Sequence, residues 1–320
     1  MGTAVLSAAR SVEFDPYTPL FTHPDLSTIV GRYWPVRLEP GEPRLFSTEP
    51  GVQVLARCHW GRRGAPVMVL VHGLEGSSDS TYMLWMARAA LEAGFQVVRL
   101  NVRNCGGTEH LAPTLYHSGL TADLRAVLGQ LRDYQVFVVG FSMGGNQALK
   151  LAGEWGPAPP PHVAGVCAIS APIDLAACAR RLAEPRNLIY EHRFLRQLRA
   201  RLRRKARLFP GRFSLEPLAR VRSIIDFDHF ITAPAFGFRD AWDYYEHCSA
   251  RRFLGAVRVP ALLIQARDDP FVPFSCCQLP ENPALRLLMP EHGGHVSFLS
   301  RTPPRFWAAR QVVRFCRALT

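Results

Sequence analysis

The chain lacks an apolar run long enough to cross a membrane as a helix. No stretch of its 320 residues approaches the roughly 18 consecutive apolar residues that such a helix needs. The first residues, MGTAVLSAARSVEFDPYTP, also lack the basic start and the sustained apolar segment of a secretory signal peptide. We therefore expect a soluble, cytoplasmic protein.

The eight cysteines lack the spacing of a metal site or of a disulfide framework. They form no CxxC pair and no cluster with histidines at metal-ligand spacing. This pattern argues against a structural zinc ion and against a secreted, disulfide-stabilised domain. We expect free thiols in the core, and we expect no metal and no cofactor.

Lysine is scarce, although the chain carries a formal net charge of +12. A charge this large suggests an acidic partner, but a composition rich in arginine and proline and poor in lysine also arises from nucleotide composition alone. The position of the charge along the chain therefore has to distinguish an acidic partner from a compositional bias. With 48% hydrophobic residues, the chain is able to bury the core of one large α/β domain with an insertion, or of two smaller domains.

Short apolar runs alternate with helical patterns after residue 50. This order predicts an α/β fold with a mostly parallel, doubly wound sheet that helices cover on both faces. The segment 1–50 is rich in proline and irregular, and we expect it to form an arm packed on the body. The predicted strands are 67–73, 95–101, 136–140 and 163–170, and the predicted helices are about 81–93, 119–132 and 143–155.

The alternation is interrupted after the strand at 163–170. The next residues are charged and helical in pattern, and strand patterns then resume in VPALLIQARDD and ALRLLMP. We expect the interruption to be a helical lid inserted into one sheet after its sixth strand. The predicted units are a core of 51–171 and 257–320 and a lid of 172–256, with strands within 259–269 and 284–290 and a closing helix over about 304–318.

One predicted lid helix, RFLRQLRARLRRKAR at 193–207, carries much of the positive charge. Its apolar residues recur at spacings of three and four, which predicts an amphipathic helix with an arginine-coated outer face. Phe194, Leu198 and Leu202 are candidates to line an acyl slot, while the arginines would face water or anionic lipid headgroups. A solvated basic face without a partner is the simpler alternative. The apolar residues are Phe194, Leu195, Leu198, Leu202 and Ala206.

The segment VVGFSMGGNQ places Ser142 between two glycines at the end of an apolar run. A Gly-x-Ser-x-Gly match arises by chance in about one chain in ten of this length. Here the run VFVV stops at Gly140, and a helical sequence begins within four residues of the serine. A tight strand-to-helix turn needs small neighbours, so Gly140 and Gly144 predict a serine held at the tip of the turn as a nucleophile. The alternative is a hydroxyl that caps the helix.

A serine hydroxyl needs a base to take its proton, and the base needs an acid to fix its tautomer. His295 in EHGGHVSF is the preferred base, because the glycine pair before it allows the loop to bring the imidazole over the serine. His292, which precedes that pair, is the alternative. In QARDDPFVP, Asp269 is the preferred acid and Asp268 is the alternative, with a cap or an ion pair as its other role. The order serine, aspartate, histidine is typical of this architecture.

Acyl transfer also needs hydrogen-bond donors for the negative oxygen that forms on the carbonyl. The backbone amide of Met143, directly after the nucleophile, is one candidate. The amide of Leu74 in VHGLEG is the other, because this segment follows the predicted strand 67–73. His72 in the same segment is interpreted as a buried histidine bonded to the backbone, with a scaffold role.

The chain resembles the α/β-hydrolase superfamily and, within it, the YheT-like branch of hydrolases and esterases. The resemblance rests on HGLEGSSDSTYMLWMARAALEAGFQVVRLNVRNCGG, GFSMGGNQALKLAGE, FDHFITAPAFGFRDAWDYYEHCSA, ARDDPFVP and HGGHVSF, and covers most of the chain from about residue 15. It implies Ser142 as nucleophile, Asp269 as acid and His295 as base, with no metal. It also implies carboxylesterase activity on short or medium acyl chains, with eukaryotic relatives that act on acylglycerols, phospholipids or ethyl esters.

The leading hypothesis is a serine hydrolase that cleaves carboxylic esters through an acyl-enzyme. A thioesterase or an acyltransferase would use the same triad. The hypothesis from another class is a protein that binds nucleic acid or anionic lipid through the basic helix. No recognised nucleic-acid motif accompanies that helix, so we expect an ester substrate, a peripheral lipid contact through 193–207, and no nucleic acid. The acyl chain length, the leaving group and the oligomeric state stay open.

Overall fold

A sheet of eight strands lies at the centre of the computed structural model, which describes residues 3–320. The strands are β1 (Glu42–Glu49), β2 (Val52–His59), β3 (Val67–Val71), β4 (Gln96–Leu100), β5 (Val136–Phe141), β6 (Val163–Ile169), β7 (Ala261–Ile264) and β8 (Leu285–Leu288). Their order across the sheet is β1-β2-β4-β3-β5-β6-β7-β8. The first two strands run antiparallel to their neighbours and the other neighbouring pairs are parallel, which confirms the predicted mostly parallel sheet.

Helices cover both faces of this sheet. They are α1 (Thr3–Ser11), α2 (Pro24–Tyr33), α3 (Thr81–Glu92), α4 (Ala122–Gly129), α5 (Met143–Glu154), α6 (Leu175–Leu182), α7 (Leu188–Leu208), α8 (Ile224–Phe227), α9 (Ala233–Ala235), α10 (Ala241–Cys248) and α11 (Trp307–Arg317). Side chains of β3 alternate between the two layers: Val69 joins an apolar cluster with α4 and α5, and Leu70 joins another with α3 and α11. A strand covered on both sides has no polar face, which explains its continuous apolar sequence.

The first fifty residues are more ordered than their composition predicts. They contain the helices α1 and α2, and β1 pairs with β2 at the edge of the sheet. The prediction of an irregular segment is therefore wrong. Its prolines occupy positions that regular structure tolerates, since Pro24 is the first residue of α2 and Pro43 lies on the edge strand.

The chain between β6 and β7 contains no strand and forms α6 to α10, as predicted for an insertion after the sixth strand. α7 has the predicted apolar side, on which Leu195, Leu198 and Leu202 are buried. The prediction that its basic residues form an outer face is wrong in part, because Arg201 and Lys205 are also buried. Both residues flank the apolar stripe, and each has hydrogen-bond acceptors on the core. Arg201 pairs with Glu75, and Lys205 donates to backbone carbonyl oxygens.

All eight cysteines are buried free thiols, as predicted. Among the helices of residues 3–320, none combines the length and the apolar content needed to cross a bilayer.

Candidate active site

Ser142 lies at the turn between β5 and α5. The strand ends at Phe141 and the helix begins at Met143, so the serine alone makes the turn. Its backbone has φ 50° and ψ −122°, a combination that side chains other than glycine rarely adopt. Its N–H donates to the carbonyl oxygen of Ile169 on β6, which fixes the strained turn. The turn holds the side chain above the carboxyl ends of the parallel strands, where such sheets place their ligands.

Two glycines allow the close packing that this turn requires. A Cβ on Gly144 would lie 2.4 Å from the carbonyl oxygen of Val71, so no larger residue fits where α5 crosses β3. A Cβ on Gly73 would lie 2.9 Å from the Cβ of Ser142. The loop after β3 therefore approaches the serine at backbone distance, which the sequence motif alone does not show.

The three residues predicted as a triad lie in one hydrogen-bonded chain. The Nε2 atom of His295 lies 2.9 Å from the Oγ of Ser142. The Nδ1 atom of His295 lies 2.9 Å from Oδ2 and 3.1 Å from Oδ1 of Asp269. Both partners are buried, with 7% of His295 and 3% of Asp269 exposed. This geometry suits proton transfer from the hydroxyl to an imidazole whose tautomer the carboxylate fixes.

The Asp269 carboxylate is held by three further donors. Phe271 N–H and Val272 N–H donate to Oδ1 at 2.9 and 3.1 Å, and the side-chain amide of Gln265 donates to Oδ2 at 3.0 Å. Donors to both oxygens fix the orientation of this side chain. Asp269 is therefore suited to orient the imidazole.

The two alternative residues lie together, away from the serine. The Nδ1 atom of His292 lies 3.2 Å from Oδ2 of Asp268, and Gly294 N–H donates to Oδ1 of the same carboxylate at 3.0 Å. Burial raises the pKa of Asp268 above its usual value. This pair fixes the turn of the histidine loop, which agrees with the ion-pair role considered for Asp268.

Helix α2 supports the histidine loop, a contact that the sequence analysis missed. The hydroxyl of Thr28 accepts a hydrogen bond from His295 N–H at 2.9 Å, and the hydroxyl of Ser27 donates to the Gly293 carbonyl oxygen at 2.8 Å. The two segments lie more than 260 residues apart along the chain. A serine and a threonine within a helical pattern carry no signal of such a contact.

The two candidate donor amides lie beside the serine and have no acceptor of their own. Met143 is the first residue of α5, and Leu74 follows the glycine that packs against Ser142. Within residues 3–320, neither backbone N–H donates to a protein acceptor. Unpaired amides at a helix start and in an adjoining turn are the donors that a developing oxyanion needs.

His72 is buried and is bonded to the backbone through both ring nitrogens. Its Nδ1 lies 2.7 Å from the carbonyl oxygen of Gly73, and its Nε2 accepts from Val102 N–H at 3.0 Å. Burial lowers the pKa of His72 to about 4. The neutral ring thus supports the loop that carries Leu74, in agreement with the scaffold role predicted for it.

An apolar cavity of about 130 Å³ adjoins Ser142 and His295. The three residues predicted to line an acyl slot, Phe194, Leu198 and Leu202, all contribute to its wall. Phe271 and Val272, from the loop that carries Asp269, also line the cavity, and the ring of Phe271 lies against that of Phe194. The cavity is therefore bordered both by α7 and by the loop that carries Asp269.

A second, larger space of about 760 Å³ reaches the same serine from outside, and we call it the polar groove. It is lined by residues within 73–82, by the end of α2, and by the side of α7 that carries Arg193, Gln197 and Arg204. Gly106 and Gly107 of the RNCGG segment also border it. Ser142 thus lies where an apolar cavity and a polar groove meet.

A buried ion pair joins the lid helix to the loop that carries Leu74. The Nε and Nη2 atoms of Arg201 each donate to the Glu75 carboxylate at 2.8 Å, and the Tyr116 hydroxyl donates to the same carboxylate at 2.7 Å. The two charged side chains are 7% and 2% exposed. Glu75 has φ 55°, so the turn after Leu74 is held in an uncommon conformation. The sequence analysis missed this pair.

The side chains of residues 3–320 include no group of three or more histidines, cysteines, aspartates or glutamates arranged to hold a metal ion.

The fold and this arrangement of serine, histidine and carboxylate define the class of protein. The family model for the alpha/beta hydrolase fold matches residues 66–302, which is more than half of the chain. The esterase Pf2001 of Pyrococcus furiosus shares the fold, with a TM-score of 0.58 at 17% identity over 97% of this chain and 98% of that one. The chain belongs to the α/β-hydrolase family.

Two relatives place the chain more narrowly. It is 35% identical to YheT of Escherichia coli strain K12, named as an esterase, over 77% of this chain and 75% of that protein. It is 30% identical to phospholipase ABHD3 of Mus musculus, over 75% of this chain but only 60% of that longer protein. Within the family the chain belongs to the YheT-like branch, and both the predicted fold and the predicted branch are confirmed.

Proposed function

We propose that the protein is a serine hydrolase that cleaves carboxylic esters through an acyl-enzyme. The observation that carries the proposal is the continuous hydrogen-bonded chain from Ser142 through His295 to Asp269, with distances of 2.9 Å at both links. The unpaired amides of Met143 and Leu74 lie beside the serine and supply the second requirement of acyl transfer. The esterase and phospholipase names of the relatives support the same reaction class.

In the proposed reaction, His295 Nε2 takes the proton of Ser142 while Oγ attacks the ester carbonyl. The negative charge moves to the carbonyl oxygen, which the amides of Met143 and Leu74 stabilise. Protonated His295 then gives its proton to the leaving alcohol, and the acyl group stays on the serine. Water, deprotonated by the same imidazole, releases the acid and restores the hydroxyl.

The two spaces at the serine suggest how an ester is oriented. The apolar cavity suits the acyl chain, because Leu198 and Leu202 and other apolar side chains form most of its wall. The polar groove suits the alcohol, which leaves toward solvent. We propose that residues 172–256 act as a lid over a core of 51–171 and 257–320, since side chains of α7 line both spaces.

Labelling with a fluorophosphonate tests the proposal directly. The probe phosphonylates activated serines, and we expect mass spectrometry to locate it on Ser142. Release of 4-nitrophenol from an ester series running from acetyl to palmitoyl tests for turnover. Labelling at another serine, or the absence of turnover with every ester, would contradict the proposal.

The apolar cavity predicts the effect of filling it. Leu198→Trp places an indole in a cavity of about 130 Å³, so we expect kcat/KM for octanoyl esters to fall by about tenfold or more while acetyl esters are hydrolysed as before. Leu208→Trp is the matched control, because Leu208 lies on the same helix but is 48% exposed. A parallel loss for both esters would place the acyl chain elsewhere.

We further propose that the protein contacts anionic lipid through the mouth of the polar groove. Ile189 at the start of α7 is 81% exposed and Tyr33 at the end of α2 is 75% exposed. A hydrogen bond of 2.9 Å between Tyr190 and Asp25 joins the two helices. Arg32 and Arg193 border the same groove beside them. Exposed apolar side chains with arginines around them suit insertion into an anionic surface, and Arg193 is the first residue of the segment 193–207 predicted to contact lipid.

Vesicle sedimentation measures this contact. We expect the protein to bind vesicles of phosphatidylcholine with phosphatidylglycerol, and to bind phosphatidylcholine alone less tightly. Ile189→Glu is expected to weaken binding by about tenfold, because it places a charge where an apolar side chain would insert. Trp242→Glu is the control, since Trp242 is 42% exposed on α10, outside the groove. Equal binding by the wild type and by Ile189→Glu would refute the contact.

A further inference from the structure

The wall of the apolar cavity contains one carboxylate that the proposed reaction does not use. Asp228 lines the cavity together with Thr232, Tyr244 and Tyr245, all from the lid segment FDHFITAPAFGFRDAWDYYEHCSA. The remaining lid residues in the wall are mainly leucine, isoleucine and phenylalanine. A carboxylate in such surroundings is costly unless its oxygens find hydrogen-bond donors.

The donors that reach Asp228 are few. The hydroxyl of Tyr245 donates to Oδ2 at 2.7 Å, and the hydroxyl of Thr232 faces the same carboxylate. No cation among residues 3–320 pairs with it. An ionised carboxylate accepts about four hydrogen bonds, so Asp228 retains the capacity to accept more from a molecule in the cavity.

The bases in the wall do not pair with Asp228, since Arg201 pairs with Glu75 and His295 belongs to the hydrogen-bonded chain with the serine. Burial lowers the pKa of His117 to about 3, so this imidazole is neutral. Burial also raises the pKa of Asp228 to about 6. The carboxyl group therefore has no cationic partner among the residues that line the cavity.

The backbone at Asp228 has an unusual form. Asp228–Thr232 is a π-helical turn, in which Ala233 N–H donates to the Asp228 carbonyl oxygen five residues earlier. Such turns are rare and occur frequently at functional sites, because the extra residue redirects neighbouring side chains. The turn here directs both Asp228 and Thr232 to the cavity.

We propose that Asp228 is a subsite that binds a hydrogen-bond-donating group, a hydroxyl or an ammonium, carried on the acyl chain of the substrate. This inference rests on the proposed function, since it requires the acyl group to occupy the apolar cavity. It defines the substrate class as esters of acids that carry a polar group on the chain. Tyr245, which donates to Asp228, is a positioning residue for the carboxylate.

Matched esters with one leaving group test the subsite. The probes are 4-nitrophenyl hexanoate and octanoate, their ω-hydroxy derivatives and their ω-amino derivatives, with the uncatalysed rate subtracted. For the wild type we expect kcat/KM for at least one polar-ended ester to exceed that of the methyl-ended ester of equal length by about tenfold or more. The ratio between two esters cancels any change in the triad, because both use the same serine and histidine.

Two variants separate the forms of recognition. Asp228→Asn keeps the shape and one acceptor oxygen but removes the charge, so a preference for ω-amino esters is expected to fall about tenfold while a preference for ω-hydroxy esters persists. Asp228→Leu is expected to remove both preferences, measured as the ratio of kcat/KM for the polar-ended ester to that for the methyl-ended ester of equal length, so that any change in the methyl-ended rate cancels. Glu246→Gln is the control, since it makes the same carboxylate-to-amide change on α10 at an exposed position outside the cavity.

The failure of this inference differs from the failure of the proposed function. If no ester is hydrolysed and no serine is labelled, the proposed function fails. If methyl-ended esters are hydrolysed and polar-ended esters show no preference at either length, or if Asp228→Leu leaves the preference unchanged, the subsite is refuted. Should Asp228→Leu fail to fold, two other ratios of kcat/KM for polar-ended to methyl-ended esters still test the subsite. Binding of an ammonium is refuted if Asp228→Asn keeps the wild-type ratio for ω-amino esters. Binding of a hydroxyl is refuted if the wild type shows no preference for ω-hydroxy esters.

Discussion

Ser142→Ala is expected to lower kcat for ester hydrolysis by about a millionfold and to abolish fluorophosphonate labelling. The alanine removes the atom that bonds to the acyl group, and the remaining groups have no nucleophile to activate. Removal of the serine or histidine of such a triad elsewhere costs about this much, and the residual rate comes from binding and from the oxyanion donors. Steady-state rates and labelling of both proteins measure the effect.

The two neighbouring Asp–His pairs supply matched controls. His295→Gln is expected to resemble Ser142→Ala, and the double variant to be no slower than either single one, because the residues act as a unit. His292→Gln should keep kcat within a few fold, since His292 is 40% exposed and its side chain is hydrogen-bonded to Asp268 rather than to Ser142. If His292→Gln lost activity while His295→Gln kept it, the assignment of the base would be overturned.

Patterns local in sequence predicted the sheet and singled out the three residues that lie in one hydrogen-bonded chain. A buried strand such as VFVVG and the helix after Ser142 are read from periodicity, and the loop QARDDPFVP carries its carboxylates at the end of a strand. The contacts that distinguish Asp269 from Asp268 are also local, because the backbone amides two and three residues after Asp269 donate to its carboxylate.

Contacts between distant segments were not predictable from these patterns. Thr28 supports His295 across 267 residues, and Arg201 pairs with Glu75 across 126 residues. Polar side chains on a helix indicate a solvated face when the helix is considered alone. Arg201 is buried because the carboxylate of Glu75 lies next to α7 in the folded protein. The spacing of residues within α7 does not predict where Glu75 lies.

The ion pair between Arg201 and Glu75 predicts the largest loss of stability. Arg201→Met removes one partner and leaves the Glu75 carboxylate buried, so we expect the free energy of unfolding to fall by about 3–5 kcal/mol. Glu75→Gln leaves the opposite charge and is expected to destabilise as well. The double variant buries no isolated charge, and we expect it to recover much of the loss. Urea denaturation of the four proteins gives the coupling energy.

Arg204→Met is the matched control for the charge on the helix. Arg204 also lies on α7, and its side chain, which is 42% exposed, pairs with Glu109. Glu109 keeps a second cation in this variant, because Nη1 of Arg201 lies 3.6 Å from its Oε1. A half-exposed arginine contributes at most about 1 kcal/mol through its pair, so this variant should unfold nearly as the wild type does. An equal loss in Arg201→Met and Arg204→Met would mean that burial of the Arg201 pair is not the cause.

Activity separates a positioning role for this pair from a purely structural one. Glu75 directly follows Leu74, whose amide is a proposed oxyanion donor, and the pair fixes the turn that carries it. Loss of one donor costs about 10²–10³ in kcat, and we expect the Arg201→Met/Glu75→Gln variant to regain stability but to keep a lowered kcat with little change in KM. A double variant with wild-type kcat would show that the turn holds Leu74 without the ion pair. If kcat stays lowered in the double variant, α7 contributes to stabilising the transition state. It does so because Arg201 holds the turn that carries the Leu74 amide.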